Sequence, residues 1–266
     1  MSRIEGIASK FDSLEVVKRL SSFIEGSKKG DSVVIKGLFG SSKAFLLSSA
    51  VKKSSCGKIH IVVEDTKEAA EYMCADLYET FTGEVYYFPL SSSSQARKIS
   101  IKDSSNKVQR SITLSALNNF SSESKSIAIV TYPDAVKEKI MARSAVLESI
   151  LKISVGEEIE FESIKEKLTD GGFEKVDFVS EPGEFAIRGG IVDIFSYSDN
   201  VPYRIDFFGN SVESIRKFSL DTQRSKEEVK SVEIFPNVCG EDKVMAYGGD
   251  TLFNYASKSS VVIWNN

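Results

Sequence analysis

The residues best placed to do chemistry follow an apolar run near the N-terminus. Residues 37–44, GLFGSSKA, come directly after SVVIK and before a helix-length stretch, as a phosphate-binding loop of the G-x-x-x-x-G-K-S/T type does. The second glycine of such a loop lets backbone N–H groups surround the phosphates, and its final hydroxyl holds Mg²⁺. Gly37 and Lys43 keep their positions, whereas Ser42 replaces the glycine and Ala44 replaces the hydroxyl residue. We therefore predict a degenerate nucleotide loop without hydrolysis, or simply a strand-to-helix turn kept for its geometry.

The remaining composition excludes most other catalytic classes. His60 is the one histidine, and its place inside an apolar strand predicts a core residue rather than a proton shuttle. Cys56, Cys74 and Cys239 are widely spaced, which indicates neither a disulfide framework nor a zinc site and fits a reducing cytoplasm. The net charge of −4 argues against a generally basic nucleic-acid coat, and no apolar run is long enough for a membrane span. We expect no catalytic residue and no metal.

Up to residue 142 the pattern is strand, loop, helix, repeated. Strands are predicted at 32–36, 58–63, 84–88 and 126–131, and helices at 42–53, 67–80, 108–120 and 133–143. Such alternation predicts a parallel sheet with helices on its faces. The serine-rich residues 91–107 read as a polar, mildly basic loop without aromatics; its charges come from Arg97, Lys98, Lys102, Lys107 and the following Arg110.

From residue 143 to 235 the pattern becomes mixed and antiparallel. A helix at 161–169 ends at Gly171-Gly172, and strands are predicted at 173–179, 184–188, 191–195, 203–208, 212–218 and 232–235. Gly209-Asn210 predicts a hairpin turn between two of them. Residues 236–266 return to a helix followed by a strand and look like the start of a longer element. The predicted domains are therefore 1–142, 143–235 and 236–266.

The most specific motif is PGEFAIRGGIVDIF at 182–195, followed by PYRIDFFG at 202–209 and TQRS at 222–225. Because side chains alternate along a strand, Phe185 and Ile187 share one face of their strand and Arg188 points to the other. If the strands predicted at 184–188 and 203–208 are neighbours, Arg188 and Arg204 can lie on one exposed face. The alternative to a docking role is that these arginines are solvated or paired locally with carboxylates such as Asp193 or Asp206, as strand arginines usually are.

These motifs resemble the N-terminal module of the bacterial transcription-repair coupling factor family (Mfd), which is itself similar to the excision-repair protein UvrB. The resemblance extends from the glycine loop near Gly37 to the end of the chain. It implies a degenerate RecA-like (P-loop NTPase-like) α/β parallel-sheet domain, 1a, interrupted by an inserted α+β antiparallel-sheet domain, 2, before a return to 1b. UvrB keeps an intact nucleotide loop and an aromatic-tipped DNA hairpin, which residues 91–107 do not resemble.

The resemblance also implies a docking surface. In the family the inserted domain binds UvrA through basic residues, and alignment gives these roles to Lys175, Arg188 and Arg204, with Phe185 beside them. Ala186 replaces a further arginine of the UvrB branch. The implied function is a non-catalytic module that recruits UvrA to stalled transcription complexes in nucleotide excision repair.

Other functions of the family lie outside these residues. The resemblance assigns ATP and Mg²⁺, the translocase motor, and the contacts with RNA polymerase and DNA to later parts of the family's chains. It also implies that the C-terminal domain covers the UvrA-binding face through an intramolecular contact. Two alternatives stay open: a UvrB-like nucleotide-dependent DNA-binding or helicase-type enzyme with residual ATP binding at Lys43, and direct DNA binding by the basic first region.

Overall fold

A computed structural model of the chain describes residues 3–53, 57–91, 101–121, 123, 125–256 and 260–265. They form two compact units. The first unit comprises Met1–Leu90, Ala116–Glu138 and Thr251–Asn266, and the second comprises Ser91–Ser115 and Lys139–Asp250. The domain limits at 142 and 235 stay predictions. Within the described ranges, every helix is too short or too polar to cross a bilayer.

Helices and strands alternate along the first part of the chain, and strands dominate the second. The helices are α1 (Arg3–Asp12), α2 (Glu15–Gly26), α3 (Ser42–Lys52), α4 (Lys67–Thr80), α5 (Ile101–Asn119), α6 (Pro133–Lys137), α7 (Arg143–Ser149), α8 (Phe161–Asp170), α9 (Glu241–Tyr247) and α10 (Leu252–Tyr255). The strands are β1 (Ile59–Val63), β2 (Glu84–Tyr87), β3 (Ile127–Thr131), β4 (Ile140–Met141), β5 (Leu151–Ser154), β6 (Glu174–Lys175), β7 (Glu184–Arg188), β8 (Ile191–Ile194), β9 (Tyr203–Phe208), β10 (Ser211–Phe218), β11 (Ser225–Val229), β12 (Ser231–Ile234), β13 (Gly249–Asp250) and β14 (Val261–Trp264).

The first unit is built on a parallel sheet in the order β14-β1-β3-β2. The runs IHIVV of β1 and IAIVT of β3 are buried along their whole length, as expected for central strands covered on both faces. Helix α4 occupies the predicted residues, and the side chain of Thr66 caps it by accepting a hydrogen bond from the Ala69 N–H at 3.1 Å. The predicted parallel sheet is confirmed.

The predicted strand at 32–36 is wrong. Val34 is 78% exposed, and no backbone hydrogen bond links residues 32–38 to any other described residue. A β-branched run forms a strand only where a neighbour completes its hydrogen-bond ladder. Strand β1 already has β3 on one side and β14 on the other, so the edge beside β1 is taken by residues 261–264.

The serine-rich segment is also only partly a loop. Residues 92–100, with Arg97 and Lys98, lie outside the described residues, as does the side chain of Lys102. Helix α5 begins at Ile101, seven residues before the predicted start, so Lys107 is helical. Arg110 is fully buried and does not contribute to an exposed basic patch. The predicted helix at 133–143 is shorter as well, because α6 ends at Lys137 and β4 follows.

The second unit contains a six-stranded sheet in the order β11-β10-β9-β8-β7-β6, antiparallel except between β6 and β7. The predicted strands at 184–188 and 203–208 are confirmed. Of the strand predicted at 173–179, only the two residues of β6 are in a strand. The strands at 151–154 and 225–229 were not predicted. Gly209 adopts φ 61° in the predicted hairpin turn between β9 and β10.

One face of this sheet forms the core of the second unit. Helix α8 packs there through Ile164 and Leu168, and β5 pairs with β12 beside it. The core side chains from the sheet are those of Phe185, Val192, Ile194, Tyr203, Ile205, Phe207, Val212 and Ile215. The other face carries a smaller apolar cluster of Val179, Ala186, Phe195 and Phe218, and polar residues lie beside it.

Candidate partner-docking site

The outer face of the six-stranded sheet carries a row of charged residues on adjacent strands. Ala186 of β7 lies opposite Asp193 of β8, Asp193 opposite Arg204 of β9, and Arg204 opposite Arg216 of β10. Arg188 lies two residues after Ala186 on the same strand and therefore shares this face. The strands of Arg188 and Arg204 are not neighbours, as the sequence-based expectation assumed, because β8 lies between them; the register across β8 nevertheless places both arginines on one face.

Asp193 organises the outer face. Its carboxylate is 1% exposed and accepts hydrogen bonds from Arg204 Nε at 2.7 Å and Arg204 Nη2 at 2.8 Å. Arg188 Nη2 donates to the same carboxylate. The hydrogen bond with Asp193 raises the pKa of Arg204. One buried acid thus holds two arginines, one through a bidentate pair and the other through a single nitrogen.

Arg204 has the more structural environment of the two arginines. Its Nη1 donates to the Gln223 carbonyl at 3.2 Å, and its guanidinium lies 4.7 Å from the ring centre of Phe218. The side chain is only 17% exposed. Gln223 has a left-handed backbone with φ 53°, so Arg204 helps to hold an unusual turn. We infer that Arg204 mainly fixes the surface that its neighbours present.

Arg188 is the more accessible arginine, with 36% of its side chain exposed. Its Nη1 donates to the Asp177 carbonyl at 3.3 Å, and its guanidinium lies 5.0 Å from the ring centre of Phe178. These contacts engage two of its nitrogens, which leaves the other N–H groups without an acceptor among the described residues. Arg188 is therefore oriented and still able to donate.

Arg216 belongs to the same face and was missed by the sequence analysis. Its Nη2 donates to Asp206, whose carboxylate also accepts from the Ser214 hydroxyl at 2.6 Å. Its Nε has no hydrogen-bond acceptor among the described residues. Side chains alternate along SVESIRKF, so Ser214 and Arg216 lie on one side of β10. This sequence pattern could have predicted that Arg216 belongs to the outer face.

Two predicted contacts lie elsewhere. Phe185 is 1% exposed and belongs to the core, because its strand turns it away from Arg188. Lys175 is exposed on β6 but lies beside Phe185 in the parallel register, so it is aligned with the core face of the sheet. On the strands of the arginine face, Phe208 is an exposed aromatic residue: it is 76% exposed and follows Arg204 and Asp206 at alternate positions of β9.

The residues predicted to form a degenerate nucleotide loop lie in a turn of the first unit. Gly37 and Gly40 have φ values of 83° and 51°, and Ser42 begins α3. Lys43 Nζ lies 3.7 Å from the Glu64 carboxylate, which also accepts from the side-chain amide of Asn265. Burial raises the pKa of Glu64. The lysine therefore faces a carboxylate of the same chain, and Ala44 is buried and offers no hydroxyl for Mg²⁺.

His60 has the environment of a core residue. It is fully buried, its ring meets that of Phe81 edge-on at 6.2 Å, and neither ring nitrogen has a hydrogen-bond partner among the described residues. Burial, with a smaller contribution from Lys58, lowers its pKa to about 4. Within the same described ranges, no group of histidine, cysteine or acidic side chains is arranged to hold a metal ion.

Comparisons with known proteins point to the same region. Residues 151–238 match the family model described as the UvrB interaction domain. The chain is similar to the transcription-repair-coupling factor of Bacillus subtilis, with 41% identity over 109 residues, covering 41% of this chain and 9% of that protein.

The transcription-repair-coupling factors of Haemophilus influenzae and Escherichia coli are also similar. They are 31% and 30% identical over 123 residues, which is 46% of this chain and 11% of each relative. The matched region thus spans about a tenth of the length of these relatives. These matches confirm the resemblance predicted from the motifs at 182–225.

Proposed function

We propose that this chain, which carries a UvrB-homology module of the kind found in transcription-repair-coupling factors, is a non-catalytic docking module that binds UvrA. The outer face of the six-stranded sheet would be the binding surface. The single observation that carries the proposal is the pairing of Arg188 and Arg204 on one buried carboxylate, Asp193, inside the matched region. An arginine fixed in this way and still exposed is suited to bind a carboxylate on a partner.

The charge distribution supports a close-range contact. Residues 141–236 contain 12 basic and 19 acidic groups, a net charge of −7, so the second unit as a whole does not attract an acidic partner. The outer face differs, because Asp193 is buried beneath its arginines while Arg188 and Arg216 are partly exposed. Charges are screened over about 8 to 10 Å at physiological salt, so this local surface acts only once the partner is near.

The first unit is proposed to be a RecA-like fold without nucleotide chemistry. The contact between Lys43 and Glu64 and the missing hydroxyl at Ala44 favour this over the alternative of a nucleotide-dependent DNA enzyme. Recruitment of UvrA to stalled transcription complexes, contacts with RNA polymerase and DNA, and masking of the docking face by a C-terminal domain are proposed for the longer proteins that share this module.

A pull-down with purified UvrA tests the proposal. Wild-type chain should retain UvrA, and Arg188→Glu should abolish retention, because it reverses the charge of the most accessible arginine that Asp193 holds. The matched control is Arg19→Glu, an exposed arginine on α2 in the first unit, which should bind like wild type. If wild type and Arg188→Glu retain UvrA equally, the proposal is wrong.

A further inference from the structure

We propose that Phe178 is a specificity-determining contact of the docking face, where it adds an apolar subsite beside Arg188. The inference deepens the proposed function and rests on it, because Phe178 gains this role only if the outer face binds a partner. Neither the sequence motifs nor the alternation of the strands singles out this position, since it lies in the loop between β6 and β7.

Phe178 is exposed although its neighbours are packed. Val176 and Val179 of the same loop contribute to a small apolar cluster with Ala186 and Phe218, whereas the Phe178 side chain lies outside that cluster and is 65% exposed. Leaving a large aromatic ring in water forgoes the free energy of burying it. A single exposed apolar residue needs no explanation by itself. Phe178 differs because its ring contacts Arg188 and so lies at a defined position on the docking face.

The loop holds the Arg188 guanidinium through two successive residues. The Asp177 carbonyl accepts from Nη1 at 3.3 Å, and the Phe178 ring lies 5.0 Å from the guanidinium carbon. An aromatic ring attracts a cation through its face, and stacking leaves the N–H edge of a guanidinium available. Phe178 thus keeps Arg188 oriented while its own exposed surface extends the site.

This arrangement fits a partner surface with two adjacent features. An acidic side chain would accept from the free N–H groups of Arg188, and an apolar side chain beside it would cover the ring of Phe178. Aromatic and arginine side chains are enriched among residues that dominate binding energy, and they act best when the contact excludes water. The partner is therefore expected to present a carboxylate next to an apolar group, rather than a purely acidic patch.

The test is the affinity of the full chain for purified UvrA, measured by biolayer interferometry at low salt and at about 0.5 M salt. Phe178→Ala should weaken binding about tenfold, and Phe178→Tyr should bind like wild type because it keeps the ring. The loss for Phe178→Ala should persist at high salt, since apolar contacts are not screened. Phe39→Ala, an exposed phenylalanine of the first unit, is the control and should bind normally.

The outcomes separate the two proposals. If wild type binds and Phe178→Ala binds equally well, the role of Phe178 is overturned while the docking face stands. If Phe178→Ala and Phe178→Tyr weaken binding to the same extent, the apolar subsite is likewise overturned. If wild type itself fails to bind UvrA, that result contradicts both the proposed function and this inference. Circular dichroism should show native folding of both variants, because the replaced side chain is exposed.

Discussion

Replacing Asp193 by asparagine is expected to destabilise the second unit by about 2 to 3 kcal/mol. The carboxylate is buried and accepts from both Arg204 and Arg188. Removing one partner of a buried ion pair costs about 3 to 5 kcal/mol when the remaining charge is left uncompensated. Two features reduce that value here: Arg188 is more than a third exposed and is solvated by water, and the asparagine oxygen keeps one acceptor.

Urea unfolding followed by far-UV circular dichroism measures this loss. The single tryptophan, Trp264, belongs to the first unit, so its fluorescence provides a separate signal that should not change. Glu227→Gln is the matched control: its carboxylate pairs with Lys217 at 3.0 Å on the surface of the same sheet and should contribute less than about 0.5 kcal/mol. If Asp193→Asn is as stable as this control, Asp193 does not organise the face.

Three further predictions concern Phe185 and Phe208, then His60, and finally Lys43. Phe185→Ala should cost about 3 to 5 kcal/mol of stability because it empties a core site, whereas Phe208→Ala should leave urea unfolding within about 0.5 kcal/mol of wild type and weaken UvrA binding. Burial keeps His60 neutral and lowers its pKa to about 4, so the unfolded chain takes up a proton first as the pH falls below about 6.5. The stability contributed by neutral His60 should therefore be lost between about pH 6.5 and pH 4, by about 3 kcal/mol in total, and His60→Leu should abolish this pH dependence in urea titrations followed by Trp264. Calorimetry with Mg-ATP should give no binding heat for wild type or Lys43→Ala; micromolar binding that depends on Lys43 would contradict the non-catalytic assignment.

The side-chain alternation of strands made part of the site predictable. It predicts that Arg188 and Arg204 share one face if the strand order allows it, and the same alternation turns Phe185 to the opposite face, which is the core. Assigning Phe185 to the docking surface followed the family resemblance against its own strand pattern, and that was the source of the error. Phe208, two positions beyond Asp206 on the strand of Arg204, has the alternation expected of an outer-face residue and is exposed.

Features that depend on distant parts of the chain were not predictable. Residues 32–36 have strand-forming side chains, but β14, some 230 residues later, pairs with β1 in the sheet. Whether Arg110 is buried depends on which side of α5 meets the core, and a serine-rich sequence does not show this. The sharing of one carboxylate by Arg188 and Arg204 likewise requires the β7-β8-β9 register, which only the folded sheet defines.

The most direct test of the docking proposal is the dissociation constant of the chain for purified UvrA, measured as salt is varied, for wild type and Arg188→Glu. The proposal predicts saturable binding by wild type that weakens as salt rises, and a loss of at least about a hundredfold for Arg188→Glu. Wild-type binding that is matched by Arg188→Glu at every salt concentration would contradict it.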